Sequence, residues 1–330
     1  MSINDVSIVV VGGLGADITG YDFDRLAGAG ELSYGGKLNV NAGGKSRNIA
    51  HMISMLTGPG KVAMVGRTSK DPLNLWRVPI DSLTRAGVNI EFIKQFSFEE
   101  SGKYPTVALI AVDKNGKNQI YVLPGINEEF PVEEINQARP LFEAATKNNG
   151  MLVLTLEMPY AACLAAVKLA NSSSLKVLLD PGGISHNQNV AELLDQPLYL
   201  IKPNEHEARQ LTGVTVTDLA SAKKAALHLF ERKTQNVLIT LGSAGAYLVY
   251  KNADQVIATH IPVPAYKGGE QRDETGCGDQ TMAALCAGIH SGLDLKDACR
   301  QAILAGTIQF YKVGIAPVSK DELCKATVAR

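Results

Sequence analysis

The sequence predicts a three-layer α/β/α sandwich, in which a mostly parallel sheet lies between two layers of helices. The first observation behind this prediction is that short runs rich in Val, Ile and Leu alternate with amphipathic segments along the chain. The second is that the runs are almost continuously apolar, as in strands buried on both faces. Two stretches interrupt the alternation, and they predict a small β-sheet outside the main one.

The apolar runs and amphipathic segments define the predicted elements of the sandwich. The strands are predicted at Ser7–Gly13, Lys61–Gly66, Met151–Glu157, Lys176–Asp180, Tyr199–Pro203 and Val237–Gly242. The helices are predicted at Ser46–Leu56, Val132–Lys147, Tyr160–Ala170 and Asp218–Arg232. Thr217 precedes the last of these helices, and its hydroxyl group is of the type that caps a helix N-terminus.

The two interrupting stretches have no helical period. Residues 18–42 are rich in Gly and polar residues. Residues 101–123 contain two strand-like runs, Pro105–Val112 and Asn118–Leu123, and Asn115-Gly116 between them is a strong hairpin turn signal. We therefore expect one domain over residues 1–330, with lid elements inserted at approximately 14–42 and 101–124.

Composition narrows the class of protein. The chain has 330 residues, of which 45% are hydrophobic and 20% charged, with a net charge of −1. That charge argues against a nucleic-acid-binding protein, because such proteins neutralise phosphates with a basic surface. No apolar run approaches the roughly 18 residues of a membrane span, and no signal peptide is predicted. The five cysteines form no C-x-x-C pair, which favours free thiols and a cytoplasmic location.

The most informative stretch is Asp273-Glu274-Thr275-Gly276-Cys277-Gly278-Asp279, which leads into a predicted helix ending near Gly292. A glycine-rich turn at a helix N-terminus presents N–H groups and a partial positive charge to an anion. Phosphoryl transfer needs such a site, because negative charge spreads over the transferred group in the transition state. The simpler alternative is that Asp279 only caps the helix and the glycines only form a tight turn.

Two other glycine-rich stretches are less specific. Gly43-Gly44-Lys45-Ser46-Arg47-Asn48 precedes a predicted helix, but Asn39 stands where a P-loop would have its first glycine. We interpret it as a loop that lets the backbone approach a ligand, with a solvated helix start as the alternative. Residues 13–17 read Gly-Leu-Gly-Ala-Asp, but Ile18 replaces the third glycine of a dinucleotide fingerprint, which weakens a dehydrogenase hypothesis. Asp17 follows the first predicted strand, and at the carboxyl end of that strand it is well placed to accept hydrogen bonds from ligand hydroxyl groups.

Taken together, these stretches resemble the ribokinase-like (PfkB-type) carbohydrate kinases. The resemblance runs along nearly the whole chain and keeps the order of the family's motifs. Besides Asp17, GGKSRN and DETGCGD, it includes Pro124-Gly125-Ile126-Asn127, Leu156-Glu157-Met158-Pro159, Lys202-Pro203-Asn204-Glu205-His206-Glu207 and Thr240-Leu241-Gly242-Ser243-Ala244-Gly245. The family's fold, a mostly parallel sheet between helices with a small β lid, agrees with the elements predicted above.

The resemblance implies a role for each matching residue. Asp279 would be the catalytic base, and the backbone of Gly276, Cys277 and Gly278 would form the anion hole. The acceptor would be held by Asp17, Gly43, Gly44, Lys45, Asn48 and Glu157. Asn204 and Glu207 would help to place Mg²⁺ and the phosphates of ATP, with Glu207 acting through water, and Thr240, Gly242 and Gly245 would line the nucleotide site. Asp273 and the carbonyl of Thr275 match a site for a monovalent cation such as K⁺.

The acceptor stays open between a small sugar and a nucleoside. Ribokinases usually have Asn two residues before the first-strand Asp, and this chain has Gly15 there. Arg47-Asn48-Ile49-Ala50 is closer to nucleoside-type members such as pseudouridine kinases. A non-catalytic sugar- or nucleotide-binding regulator is a further alternative, although the catalytic turn is intact. Val318 replaces a small polar residue often found near the cation site, and the family's pairing of lids predicts a homodimer.

Overall fold

The computed structural model describes residues 2–185, 188–253 and 255–328. It confirms the predicted sandwich: a large, mostly parallel sheet lies between two layers of helices, and a smaller sheet stands beside it. None of the helices in the described ranges has the length and apolar character needed to cross a bilayer.

The elements are numbered in chain order. The strands are β1 (Ile8–Val11), β2 (Gly15–Phe23), β3 (Gly35–Gly43), β4 (Val62–Lys70), β5 (Ile93–Ser97), β6 (Thr106–Asp113), β7 (Asn118–Leu123), β8 (Met151–Thr155), β9 (Lys176–Asp180), β10 (Leu200–Ile201), β11 (Asn236–Thr240), β12 (Ala246–Asn252) and β13 (Gln255–Ile261). The helices are α1 (Lys45–Thr57), α2 (Arg77–Arg85), α3 (Phe98–Ser101), α4 (Val132–Gln137), α5 (Arg139–Lys147), α6 (Tyr160–Ser172), α7 (Ala191–Leu194), α8 (Glu205–Thr212), α9 (Leu219–Phe230), α10 (Cys277–His290), α11 (Leu295–Phe310) and α12 (Lys320–Val328).

The large sheet has the strand order β13-β12-β11-β10-β9-β8-β1-β4-β5. All neighbours from β11 to β5 run parallel, whereas β12 and β13 form an antiparallel hairpin at one edge. Because parallel strands end at the same edge of a sheet, the loops after β8, β9, β10 and β11 meet along one side. That edge is where ligands bind in open α/β sheets.

Side chains of the central strands fill a core on each face of the large sheet. In β1, Val9 and Val11 face the core that contains Phe142, while Ile8 and Val10 face the core that contains Met52. All four β1 residues are fully buried. This two-sided burial explains why the strand reads as a continuous apolar run rather than an alternating one.

The small sheet has the order β3-β2-β6-β7, with β2 and β6 parallel and the outer pairs antiparallel. Its strands come from the two stretches that interrupt the sandwich pattern. Asp17 lies inside β2, and not directly after β1 as the sequence predicted. The chain leaves the large sheet at Val11 and enters the small sheet at Gly15, so Asp17 belongs to the small sheet.

Two other predictions were wrong in detail. The predicted helix Val132–Lys147 is divided into α4 and α5 at Ala138, because Pro140 stands at the start of α5 and has no N–H to continue the α4 ladder. The N-cap of α9 is Asp218 and not Thr217. Asp218 forms a reciprocal capping box with Ser221, which satisfies the helix N–H groups.

Candidate active site

The carboxyl group of Asp279 is the centre of the candidate site. Asp279 lies in the first turn of α10, which begins after Gly276, and the residue is only 5% exposed. The Asn48 side-chain amide donates a hydrogen bond of 2.8 Å to Asp279 Oδ2, and Lys45 Nζ lies 3.4 Å from Oδ1. Two side chains of α1 therefore fix both carboxylate oxygens at the N-terminus of α10.

The charge of Lys45 suits this position. Asp279 is the main cause of a raised pKa at Lys45, and Asp180, Glu207 and Glu157 add to it, although burial acts in the opposite direction. Lys45 therefore keeps its proton at neutral pH. A protonated amine beside the carboxylate supplies positive charge where a negatively charged ligand would approach.

Arg47 is a buried cation that supports the same arrangement. Its residue is 1% exposed, and its guanidinium group donates to the carbonyl oxygens of Ala42 and Gly43 and to Asn48 Oδ1. Because Asn48 Oδ1 is taken up by Arg47, its Nδ2 group points to Asp279. Burial lowers the pKa of Arg47 to about 10, and the neighbouring Asp17 and Asp279 limit that shift.

Gly43 and Asp17 approach each other closely where β2 and β3 run side by side. A Cβ atom on Gly43 would lie 2.0 Å from Asp17 Oδ1, so only glycine leaves room for this carboxyl group. Gly44 then turns the chain into α1 with φ of +92°. Burial raises the pKa of Asp17, the Arg47 charge opposes the shift, and Asp279 adds to it.

Glu157 completes the group around Asp279 from the end of β8. Its Oε2 accepts a hydrogen bond of 3.4 Å from the Ser46 N–H and one of 3.5 Å from the Thr155 hydroxyl. The residue is partly buried. Desolvation raises the pKa of Glu157 to about 7, despite the opposing contributions of Lys45.

Asp180 and Lys202 form a buried ion pair next to this group, with 2.8 Å between Nζ and Oδ2. Both side chains are at most 3% exposed. Burial alone would raise the pKa of Asp180, but the Lys202 and Lys45 ammonium groups outweigh it and hold that pKa below its ordinary range. A Cβ atom on Gly278 would lie 4.0 Å from Lys202 Nζ, so this cation adjoins the turn before α10.

Sequence reasoning assigned no role to Asp180, Lys202 or Arg47. The signal for Asp180 and Lys202 was their position, because Asp180 ends one predicted strand, Lys202 is the second-last residue of the next, and both therefore reach the carboxyl edge of the sheet. Arg47 gave no such signal, since a charged residue two positions into a helix is ordinarily solvated.

The residues predicted for the nucleotide lie farther along the same edge, at β10 and β11. Asn204 caps α8, and it forms a reciprocal capping box with Glu207. Thr240 ends β11 and donates its N–H to Pro203 O at 3.0 Å. Gly242 begins a single 3₁₀ turn and Gly245 follows it, and a Cβ atom on Gly245 would lie 2.1 Å from the carbonyl oxygen of Ile261.

Glu207 is the acidic residue among these predicted nucleotide and Mg²⁺ residues. Burial and the nearby Asp180 raise its pKa, while Lys202 and Lys45 oppose the rise. In the part of the chain that the structure describes, no three His, Cys, Asp or Glu side chains form a cluster that would hold a metal ion unaided.

The turn before α10 has Gly276 as its N-cap residue, with φ of +75°. Cys277 begins the helix, and burial together with the Asp273 and Glu274 carboxylates raises the pKa of its thiol to about 12. At neutral pH the sulfur is therefore uncharged. The sulfur therefore carries no charge that would repel an anion. The positively polarised groups at this end of α10 are the N–H groups of the turn.

Asp273 and Thr275, the residues predicted for a monovalent cation, lie together just before this turn. Asp273 Oδ1 accepts from the Thr275 N–H at 2.8 Å, and Oδ2 accepts from the Gly314 N–H at 2.7 Å. The Thr275 carbonyl accepts from the side-chain amide of Gln309, which also donates to the Gly314 carbonyl. Sequence reasoning missed Gln309, because nothing in its helical stretch distinguishes it.

The sequence matches the pfkB family carbohydrate kinase domain over residues 6–321. It is 28% identical over 324 residues to a ribokinase of Mus musculus, covering 96% of this chain and 93% of the relative.

Two solved structures have the same fold. The ribokinase of Thermotoga maritima superimposes with a TM-score of 0.81 at 25% identity, covering 98% of this chain and 99% of that one. The Arabidopsis thaliana ribokinase complexed with ribose and ATP gives a TM-score of 0.82 at 24% identity, covering 97% and 98% of the two chains.

The raised pKa of Glu157 predicts a pH-dependent stability. A carboxyl group that titrates near pH 7 when folded, and near 4.5 when unfolded, binds more protons in the folded state between those values. Folding stability is therefore lost as pH rises through this window. Replacing Glu157 by Gln should raise Tm relative to the natural chain, and the difference should grow from pH 5 to pH 8. A Tm difference that stays constant from pH 5 to pH 8 would contradict the raised pKa of Glu157.

Proposed function

Because the chain belongs to the pfkB family of carbohydrate kinases, we propose that Asp279 is the catalytic base with which it transfers a phosphoryl group from ATP to a hydroxyl group of a small sugar. As a ribokinase-like member of that family, the chain is an ATP-dependent carbohydrate kinase. The observation that carries the assignment of the base is the carboxylate held by Asn48 and Lys45 beside the glycine-rich turn.

The acceptor hydroxyl lies between Asp279 and the transferred phosphoryl group in this proposal. Asp279 accepts the hydroxyl proton as the oxygen attacks in line. The N–H groups of Gly276, Cys277 and Gly278 would stabilise the charge that develops on the phosphoryl oxygens, and the Cys277 N–H would have to be shared with the Glu274 carbonyl, which accepts it at 3.2 Å. Positioning supplies most of the acceleration, since phosphoryl transfer needs little covalent assistance from the protein.

Acceptor and nucleotide would then occupy opposite ends of the carboxyl edge. Asp17, Glu157 and Asn48 supply hydrogen-bonding groups for acceptor hydroxyls, with Gly43 and Gly44 allowing close backbone approach. Thr240, Gly242 and Gly245 lie at β11, where the nucleotide would bind. The Arabidopsis thaliana ribokinase, which has the same fold, was solved with ribose and ATP, and this supports ATP as the phosphoryl donor.

Mg²⁺ fits the residues on the nucleotide side. Mg²⁺ typically keeps several waters and is held by one or two carboxylates together with substrate phosphates. Glu207 offers such a carboxylate, with the Asn204 amide beside it, and its pKa is raised by burial rather than held down by a fixed cation partner. When bound, the ion would offset the negative charge of the phosphates.

The small sheet would serve as a lid over the acceptor. It contributes Asp17 directly, and β3 leads into the Gly43–Lys45 corner beside Asp279. A lid would exclude water, which otherwise competes with the acceptor for the phosphoryl group.

A second copy of the chain is proposed to pack against the small sheet. Its edge strand β7 is exposed along its whole length, and Ile120, Tyr121 and Val122 are each at least half exposed. Leu38 on β3 is 75% exposed. Apolar side chains on an open sheet of this kind mark an interaction surface, which favours a homodimer formed through the lids.

The expected preference for an acceptor other than ribose depends on Gly15. A Cβ atom there would lie 2.4 Å from the Thr106 carbonyl oxygen, so the asparagine that ribokinases use at this position does not fit. One polar contact to ribose is therefore lacking. This favours another acceptor, either a different sugar or a nucleoside such as pseudouridine.

We expect Asp279→Asn to reduce kcat by about 10²- to 10⁴-fold, because the carboxamide cannot accept the hydroxyl proton. The variant should still fold, since an amide has nearly the same shape and can still bond to Asn48, and a fall in Tm should be limited to the loss of the ion pair with Lys45. The measurement is phosphoryl transfer to the best acceptor together with thermal unfolding. Asp297→Asn is the matched control, because Asp297 is an exposed carboxylate on α11 paired with Arg300.

Near-normal turnover of Asp279→Asn would contradict the base assignment. A natural chain that binds ATP and a sugar but transfers no phosphoryl group would instead favour the alternative, a non-catalytic sugar- or nucleotide-binding regulator.

A panel of ribose, fructose, 2-keto-3-deoxygluconate, uridine and pseudouridine would identify the acceptor. We expect kcat/KM for ribose to be lower than for the best acceptor by about tenfold, as follows from the loss of a hydrogen bond and of packing around one hydroxyl group. Ribose as the best substrate would show that Gly15 does not decide the acceptor.

The double variant Ile120→Asp/Tyr121→Asp should be monomeric. The two positions lie on opposite faces of β7, so the added charges would be buried against a partner on either face. Sedimentation equilibrium of the natural chain and the variant gives the measurement. A natural chain that is monomeric at micromolar concentration would overturn the homodimer proposal.

A further inference from the structure

The side-chain amide of Gln309 occupies the place where the sequence resemblance puts a monovalent cation. Gln309 lies in the last turn of α11 and is fully buried. Its Nε2 donates hydrogen bonds of 3.2 Å to the Thr275 carbonyl and 2.6 Å to the Gly314 carbonyl. An ion bound by these two carbonyl oxygens would have to stand where Nε2 stands.

The carboxylate oxygens of the predicted cation site also have protein donors as partners. Asp273 Oδ1 and Oδ2 each accept a backbone N–H, from Thr275 and Gly314 respectively. An amide NH₂ group has two hydrogens, and the two carbonyls use both of them. The residues present therefore do not fit a bound K⁺ ion, because Nε2 of Gln309 occupies the position between the Thr275 and Gly314 carbonyl oxygens.

The orientation of the Gln309 amide follows from its neighbours. Reversing it would place Oε1 against two carbonyl oxygens, which repel it, so Nε2 has to face them. Oε1 has no hydrogen-bond partner among the residues that the structure describes. Burying an unpaired acceptor costs free energy, which indicates that the two bonds from Nε2 determine how the side chain is placed.

The contacts of Gln309 lead directly to the anion-binding turn. A Cβ atom on Gly276 would lie 3.8 Å from Nε2, and the Thr275 carbonyl belongs to the peptide that supplies the Gly276 N–H. The Asp273 N–H also bonds to the Phe310 carbonyl, at 2.9 Å, so the end of α11 is fastened to this turn at two points. The position of Gln309 therefore bears on the geometry of the turn that begins α10.

We propose that the Gln309 amide replaces the monovalent cation in this kinase and holds the Gly276–Gly278 turn in its active geometry without K⁺. The partial positive charge of the NH₂ group faces the two carbonyls as an ion would. Gln309 is a positioning residue in this account, since it acts through Thr275 and Gly276 and touches no reacting atom. The inference rests on the proposed kinase activity for its rate measurements but not for its binding measurements.

The test compares the natural chain with Gln309→Ala and Gln309→Met, at a constant ionic strength of about 0.1 M so that screening is equal. Activity and Tm are measured in tetramethylammonium, Na⁺ and K⁺ chloride. The natural chain should show the same kcat and the same Tm in all three salts. Gln301→Ala is the matched control, because Gln301 is a half-buried glutamine on the same helix.

The two variants separate the amide from the space it fills. Gln309→Ala removes the donors and opens room, so kcat without K⁺ should fall by about 10-fold or more, as for other residues that orient a site, and K⁺ should restore it. Gln309→Met removes the donors but fills the room, so kcat should fall without rescue by K⁺. K⁺ should raise the Tm of Gln309→Ala but not that of Gln309→Met or of the natural chain, because only folded Gln309→Ala has room to bind the ion.

Strong activation of the natural chain by K⁺, or a Tm of the natural chain that rises with K⁺, would overturn the proposal. Full activity of Gln309→Met would do the same, since it would show that the donors are not needed. If no variant and no salt gives phosphoryl transfer, the proposed function fails. The Tm of Gln309→Ala with and without K⁺ still shows whether the Gln309 amide of the natural chain occupies a K⁺ site.

Discussion

The hydrogen bond between Asn48 and Asp279 joins two residues that are 231 positions apart in the sequence. Each belongs to the first turn of a helix that begins after a glycine, α1 after Gly44 and α10 after Gly276. Because both helices pack in the same layer against the large sheet, their N-termini meet at one point. The candidate site exists only where these two helix ends come together, and neither glycine-rich motif forms it alone.

The large sheet was predictable because burial on both faces leaves a plain mark on the sequence. The run Lys176–Asp180 was predicted to the residue, and so was the hairpin strand Asn118–Leu123, which follows an Asn-Gly turn. The strands β2 and β3 were predicted only as β elements of unknown extent. Most of β3 is exposed, so no apolar period marks it. A strand that buries little cannot be located from the pattern of burial.

The parts of the candidate site that lie in local sequence motifs were predictable from the sequence. The parts that depend on contacts between separate stretches of the chain were not. Asp279, Lys45 and Asn48 stand in glycine-rich stretches, and the structure brings them together. The buried ion pair of Asp180 with Lys202 and the bonds of Gln309 join residues that are far apart in the sequence. No single stretch reveals such a pair, because its stability depends on burial that only the fold creates.

Asp17 and Glu157 belong to different sheets, since Asp17 lies in β2 and Glu157 follows β8. Any displacement of the small sheet relative to the large one changes the separation of these two carboxyl groups. A ligand bound by both favours one separation, and by thermodynamic reciprocity that separation raises the affinity for the ligand. In the proposed acceptor site, the affinity for the acceptor therefore depends on how the small sheet lies relative to the large sheet. Substitutions in β7 can alter it although they lie far from the ligand.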